Sequence, residues 1–221
     1  MPDLNLVLMW LWVCALLLAG APDKKTCYCP ETELGTPVQP EQVFTFASGR
    51  QIALCGSRNA DSQPATYSEF ILSVCGQKDV LGFWSALQEC RLRMVKDTLL
   101  IEELKYLPTG IGFRYTKSVW TTEKISFGGE EPERQKTVNR GIRKYTTPEI
   151  TEVLQQYDAA PKEVDDNTMT LINRLFVAAI SGSAKAREYF KASATHFGVL
   201  DGAYAEEYNE LKTMLEAWDK S

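Results

Sequence analysis

The chain has 221 residues, 24 Lys and Arg against 29 Asp and Glu, a net charge of −5, and 44% hydrophobic residues. This is the composition of a globular protein, and neither half of the sequence has the large basic excess of a nucleic-acid-binding protein, so nucleic acid is excluded as the expected partner. The single histidine, His196, also limits the catalytic mechanisms that need an imidazole base.

An apolar stretch over residues 4–21 comes first and ends in Ala19-Gly20-Ala21. Signal peptidase accepts such a small-x-small ending, so residues 1–21 are predicted to be a signal peptide, although no Lys or Arg precedes the stretch. The alternative is an uncut anchor over residues 4–21, since about 18 apolar residues are near the lower limit for crossing a bilayer. We therefore expect an extracytoplasmic protein, periplasmic or secreted, that meets the membrane only if the segment stays uncut.

Residues 22–42 are predicted to be a leader or loop that carries Cys27 and Cys29, because Pro, Thr and Glu dominate it without periodicity. Residues 43–127 are predicted to form a β-rich region of about five to seven mostly antiparallel strands, since short β-favouring runs alternate with Gly, Ser, Asn and Pro. One short helix is expected within this region over Asp79–Gln88, where apolar residues share one stripe behind a capping aspartate.

Residues 90–107 could be read as a long helix, but alternating polar and apolar residues favour a β-hairpin that turns at Lys96-Asp97. Residues 128–147 are predicted to be a charged connector with room for one further strand. Residues 148–221 change to a helical period and predict about three or four helices, with glycines such as Gly182 as stop signals.

The fold class predicted from these elements is α+β. A mostly antiparallel β region with one short helix is followed by three or four helices packed on or beside the sheet. Packing onto the sheet is preferred, because short helices with a single apolar stripe bury little surface by themselves.

Five cysteines remain after the signal segment: Cys27, Cys29, Cys55, Cys75 and Cys90. Clustered cysteines in an exported protein favour disulfides, and with an odd number at least one is unpaired. We predict a Cys75–Cys90 disulfide, with Cys55 joined to either Cys27 or Cys29. The alternative is a metal or redox site at Cys27 and Cys29, although no second cysteine pair or nearby histidine supports it. No metal and no cofactor are predicted.

No residue is assigned a catalytic role. His196 lies near the predicted end of the third helix, where a histidine commonly caps terminal carbonyls. The adjacent carboxylates, such as Glu102-Glu103, have the residue type of a glycosidase site, but neighbours on a strand face opposite sides.

Three aromatic residues on the last extended run, Tyr115, Trp120 and Phe127, are candidates for a ligand surface, because exposed aromatic side chains on a sheet suit sugars or apolar partners. Packing in the core is the alternative, and the preferred one. A basic cluster is expected to be solvated or to dock on the chain's own acidic helices; it consists of Arg134, Lys136, Arg140, Arg143 and Lys144.

The function expected from the sequence is that of an exported, non-enzymatic protein that binds a partner protein or an envelope component. One alternative is a secreted hydrolase with carboxylate acid/base chemistry, which needs two carboxylates across a cleft, one of them with a raised pKa. The other is a thiol or metal protein built on Cys27 and Cys29.

Overall fold

A computed structural model describes residues 27–30, 39–77, 80–165 and 167–221. These residues form an antiparallel sheet in the N-terminal part and α-helices in the C-terminal part, so the α+β prediction is confirmed. The predicted signal or anchor segment lies outside the described residues. Within the described ranges, no helix combines the length and apolar character needed to cross a membrane.

The sheet has eight strands within the described residues: β1 (Gln42–Thr45), β2 (Gln51–Arg58), β3 (Tyr67–Val74), β4 (Val80–Trp84), β5 (Glu89–Val95), β6 (Thr98–Leu107), β7 (Thr116–Ser126) and β8 (Glu133–Val138). Seven of them are paired in the order β1-β2-β3-β5-β6-β7-β8, and β4 pairs with the same edge of β3 as β5. All the pairings are antiparallel.

The hairpin predicted over residues 90–107 is confirmed as β5 and β6. Val95 pairs with Thr98, so Lys96 and Asp97 form the two-residue turn, and Lys96 has the positive φ (53°) that such tight turns use. The alternation that favoured strands places Leu92 and Ile101 opposite each other in the core.

The short helix predicted over Asp79–Gln88 is wrong, because residues 80–84 form β4; Asp79 itself lies outside the described residues. A shift in register puts one extra residue on β4 where it passes Leu72 and Ser73 of β3. This bulge lets Val80 and Phe83 share the outer face while the Trp84 ring stacks on Phe70 at 4.8 Å. An apolar stripe with helical spacing therefore also fits a bulged strand.

The sheet curls around an apolar core drawn from β1 to β7. The two ends of the sheet approach each other. The rings of Phe46, just after β1, and Phe127, just after β7, lie 4.8 Å apart. The Arg134 guanidinium of β8 also donates to the Leu81 carbonyl of β4. The buried members of this core are Phe44, Phe46, Ile52, Leu54, Tyr67, Phe70, Leu72, Trp84, Cys90, Leu92, Leu99, Ile101 and Ile125.

The charged connector predicted over residues 128–147 contains one further strand, β8. It pairs with β7 from Thr121–Val138 to Ser126–Glu133, and no other described strand pairs with it. Its residues are exposed from Glu133 to Thr137, so β8 is a solvated edge of the sheet.

Four helices follow in the described residues: α1 (Thr147–Ala159), α2 (Thr168–Ile180), α3 (Ala184–His196) and α4 (Gly202–Lys220). The cap of α1 is Thr146, whose backbone N–H and hydroxyl both donate to the Glu149 carboxylate, at 2.8 and 3.0 Å. Gly182 ends α2 as predicted. Its φ of +102° is a backbone conformation that glycine adopts readily and that other residues seldom adopt.

One contact between the helices and the sheet is a bulged residue of β7. Glu103 of β6 pairs with Thr121 of β7 and Leu104 pairs with Val119, which leaves Trp120 as an extra residue on β7. The Trp120 ring lies 5.8 Å from the ring of Phe176 on α2 and 5.8 Å from that of Trp218 on α4. The helical layer and the end of the β6–β7 hairpin thus share a second core.

Candidate functional site

The two disulfides join Cys27 to Cys75 and Cys29 to Cys55. The prediction of a disulfide framework is confirmed, and Cys29 is the partner of Cys55. The predicted Cys75–Cys90 disulfide is wrong, since Cys90 pairs in the sheet with Tyr67 at one end of β3 whereas Cys75 follows the other end.

In this disulfide state neither Cys27 nor Cys29 offers a thiolate ligand to a metal, because both sulfur atoms are used in S–S bonds. The described part of the chain also holds no group of three or more His, Cys, Asp or Glu side chains placed for a metal ion. The bridges hold residues 27–30 against the β2–β3 part of the sheet. They favour an extracytoplasmic location.

Cys90 is the free cysteine of the described residues, and it is fully buried. Burial raises the pKa of its thiol to about 12, and the nearby Glu103 carboxylate adds to the effect. The thiolate, which is the nucleophile, is therefore scarce at neutral pH, and Cys90 has the features of a structural cysteine.

We expect Cys90 to resist alkylation in the folded protein at pH 8 and to react once the chain is unfolded without reductant. Intact mass spectrometry of protein exported with its own N-terminus then gives one added label if Cys14 has been removed with the signal, and two if it is retained. Five labels after reduction would correspond to the cleaved chain. Rapid labelling of the native cleaved chain, from which Cys14 is absent, would contradict the burial of Cys90.

Glu102 and Glu103 face opposite sides of β6, as expected for neighbours on a strand. The Glu102 carboxylate binds the guanidinium groups of Arg91 and Arg93 at 2.6 and 2.8 Å. The Glu103 carboxylate instead forms ion pairs with the ammonium groups of Lys105 (3.3 Å) and Lys136 (3.2 Å). The pair is therefore divided between two ion-pair clusters and cannot act as one acid/base unit.

A cavity of about 470 Å³ lies on the Glu103 side, between the sheet and α4. It combines charged, polar and apolar side chains, as small-molecule sites do. We call it the sheet–helix cavity. Its lining consists of Gln88, Glu103, Lys105, Trp120, Thr121, Lys136, Thr137, Val138, Glu210, Thr213, Met214 and Ala217.

The four charged residues of the sheet–helix cavity form a chain of alternating sign. Lys136 binds Glu103, Glu103 binds Lys105, and Lys105 in turn binds Glu210 of α4. The hydroxyl of Thr121 also donates to Glu103 Oε2 at 3.0 Å. The inner two side chains are largely buried, whereas Lys136 and Glu210 remain 49% and 50% exposed.

Glu103 is ionised at neutral pH. Burial opposes its ionisation, but Lys105, Lys136 and the Thr121 hydroxyl outweigh burial and hold the pKa of the carboxyl below its usual value. Burial likewise disfavours the charged form of Lys105, yet Glu210 and Glu103 raise the pKa of its ammonium. A general acid needs the opposite environment, one that raises the pKa of its carboxyl.

Because the pKa of Glu103 is lower in the folded than in the unfolded chain, its ionisation adds stability above the unfolded value of about 4.3. That contribution disappears as the pH falls through the folded pKa. We expect Glu103→Gln to be less stable than the wild type at pH 7 and the difference to shrink towards pH 3, in urea titrations. Glu216→Gln, an exposed position on α4, is the control; a difference that does not change with pH would contradict the assignment.

The three aromatic candidates lie in different environments. Trp120 is buried and lines the sheet–helix cavity, so for this residue the core alternative holds. Tyr115 is half-buried with its ring 5.2 Å from that of Tyr106. Phe127 is half-buried beside Phe46.

His196 is the last residue of α3, and its ring stacks on Tyr157 at 4.2 Å. Its Nε2 atom is buried without a hydrogen-bond partner in the described residues, so this nitrogen does not cap a helix carbonyl as the sequence suggested. The imidazole ring belongs to an aromatic stack instead. His196 is not among the residues that line the sheet–helix cavity.

Part of the basic cluster docks on the chain's own helices, as one of the two sequence interpretations expected. The Arg140 guanidinium lies 4.2 Å from the centre of the Trp218 ring and donates to the carbonyls of Trp218 and Ser221. Arg143 binds Glu149 of α1 at 2.7 Å. Lys136, by contrast, belongs to the sheet–helix cavity.

Sequence reasoning missed Lys105 and Glu210, because the first resembles any polar residue of a strand and the second any exposed residue of a helix. No protein-family model, curated protein or solved structure matches this chain. The chemistry of the sheet–helix cavity is therefore the basis on which a function can be proposed.

Proposed function

We propose that this protein is an exported, non-enzymatic binding protein that recognises a partner protein or an envelope component, and that the sheet–helix cavity is its recognition site. The two disulfides support a place outside the cytoplasm, in the periplasm or the medium. The apolar stretch over residues 4–21 supports export through a signal peptide.

One observation carries the proposal: two lysines, two glutamates and several apolar side chains line one concave site. A buried ion pair often adds little net stability, because the desolvation of both charges can cancel their Coulombic attraction. Stability alone is therefore a weak reason for such a network. A cavity of about 470 Å³ at such a network is within the usual size range of small-ligand sites, about 300–1,000 Å³.

The hydrolase alternative is less well supported. Two carboxylates, Glu103 and Glu210, do line the same cavity. However, the environment of Glu103 lowers its pKa, whereas acid/base hydrolysis needs one carboxyl with a raised pKa.

The test fills the cavity from α4. Thr213 is exposed and lines it, so Thr213→Trp should block the site at little cost to the fold; Asn209→Trp, exposed on the same helix but outside the lining, is the matched control. Purified wild type and variants are heated with the protein, lipid and low-mass fractions of a cell-envelope extract. Because a ligand that binds only the folded state raises Tm, we expect one fraction to stabilise the wild type and Asn209→Trp but not Thr213→Trp.

A stabilisation that Thr213→Trp retains would place binding elsewhere on the protein. No stabilisation by any fraction would contradict the binding function itself.

A further inference from the structure

We propose that the ligand of the sheet–helix cavity is a zwitterion, a molecule that carries an ammonium group and an anionic oxygen group on a partly apolar frame. This inference rests on the proposed binding function of that cavity. It follows from the balance of charge, from the two ends of the ion-pair chain and from the apolar part of the lining.

The charged lining of the cavity is balanced, with two glutamates and two lysines. A ligand of one sign would meet as much repulsion as attraction there and would bring an uncompensated charge into a partly desolvated site. A zwitterion adds no net charge, and each of its groups can lie beside a side chain of opposite sign.

The two ends of the ion-pair chain differ in sign, and each has unused hydrogen-bonding capacity. Among the described residues Lys136 has one carboxylate partner, Glu103, although an ammonium group can donate three hydrogen bonds. Glu210 uses one oxygen, Oε1, for Lys105, which leaves Oε2 to accept. The ligand anion therefore belongs at Lys136 and its ammonium at Glu210.

The two inner residues are already satisfied and hold the ends in place. Glu103 contacts Lys105, Lys136 and Thr121, while Lys105 contacts both glutamates. These two side chains are only 12% and 13% exposed, so exchanging their partners for a ligand would be costly. The outer residues, at about half exposure, are the ones that a ligand can reach.

The rest of the lining suits the frame of such a ligand. Trp120, Val138, Met214 and Ala217 supply apolar surface. The hydroxyls of Thr137 and Thr213 donate to backbone carbonyls and can still accept a hydrogen bond. An α-amino acid with an apolar side chain has the required groups, and so does an ethanolamine-phosphate headgroup of an envelope lipid. These two sources share the chemistry, and the experiment separates them.

The test uses isothermal titration calorimetry on the complete exported chain. The amino-acid arm compares L-phenylalanine with N-acetyl-L-phenylalanine, which keeps only the negative charge, and with L-phenylalaninamide, which keeps only the positive charge. The headgroup arm compares glycerophosphoethanolamine with glycerophosphoglycerol, which keeps only the single negative charge of the phosphodiester, and with ethanolamine, which keeps only the positive charge. We expect one zwitterion to bind about 10- to 100-fold more tightly than its singly charged relatives, the range expected when one hydrogen bond to a charged group is lost.

Variants assign each charge to its residue. Lys136→Gln should weaken the zwitterion by about 10- to 100-fold without weakening the cation-only probe, and Glu210→Gln should not weaken the anion-only probe. Lys124→Gln, at an exposed lysine of β7 outside the lining, is the control that should bind as the wild type does. If Glu210→Gln loosens α4 and its Tm falls, Lys136→Gln still provides the test, because the Lys136 side chain is half exposed and bridges no helix.

Equal affinity for a zwitterion and its anion-only relative, or affinities unchanged in Lys136→Gln, would overturn the inference. If no zwitterion binds while an envelope fraction still stabilises the wild type but not Thr213→Trp, the ligand class is wrong and the binding function stands. If neither the probes nor the fractions act, both proposals fail.

Discussion

Replacing Trp120 by alanine is expected to lower the free energy of unfolding by about 3–5 kcal/mol, the usual cost of removing a large buried aromatic side chain. Trp120 is 3% exposed and lies between Phe176 of α2 and Trp218 of α4. Its loss leaves a void where the sheet meets the helices. Urea unfolding followed by circular dichroism measures the change.

Trp120→Phe is the conservative variant and should recover much of the loss, whereas Tyr106→Ala should change stability by less than about 0.5 kcal/mol, because Tyr106 is 63% exposed. The same titration examines cooperativity. If the shared core joins sheet and helices into one unit, the wild type unfolds in a single transition, and the Trp120→Ala variant is the one in which the two parts could separate. A loss below about 1 kcal/mol would contradict the role of Trp120.

Removal of the disulfides is the second large effect. Cys27–Cys75 spans 48 residues of sequence and Cys29–Cys55 spans 26. Loop-closure entropy in the unfolded chain predicts losses of about 4 and about 3.5 kcal/mol when each pair is replaced by alanine. The second loop lies wholly inside the first, so each bridge shortens the loop that the other closes. Removing both pairs should therefore cost less than the sum of these two single-loop values.

Urea unfolding of Cys27→Ala/Cys75→Ala and of Cys29→Ala/Cys55→Ala, with and without reductant, tests this expectation. Cys90→Ala is the matched control, since it removes a buried sulfur but no cross-link and should cost about 1 kcal/mol. Reductant should weaken the wild type and the control but have less effect on each disulfide variant. Identical midpoints in the wild type and both variants would show that the bridges add no stability.

The elements that the sequence predicted well are those whose signals are local. Alternation in residues 90–107 and the tight turn at Lys96-Asp97 belong to one hairpin, and a left-handed glycine such as Gly182 ends a helix without help from distant residues. Residues 80–84 differ, because a stripe at helical spacing also fits a strand with a bulge. Residues 80–84 form a strand rather than a helix because they pair with a free edge of β3, and that edge exists only in the assembled sheet.

The disulfide pairing and the cavity could not be predicted from the sequence, because both depend on which distant segments of the chain meet in the fold. Which cysteine meets Cys75 depends on which end of β3 each neighbouring strand reaches. Glu103, Trp120 and Lys136 were each singled out by residue type, but in three separate arguments. Lys105 and Glu210, which complete the cavity, are 105 positions apart and meet where α4 packs on the sheet, the same helix whose Trp218 stacks on Trp120.

The composition of β8 has a consequence for how this protein behaves in concentrated solution. An edge strand normally offers its unpaired backbone groups to any extended chain that passes. Here Glu133, Arg134 and Lys136 line that backbone with charges of both signs; Arg134 and Lys136 are ion-paired with Glu123 and Glu103 but remain 38% and 49% exposed. A second chain adding there would have to strip these charges of water, so this side of the sheet resists the strand-by-strand growth that leads to fibrils.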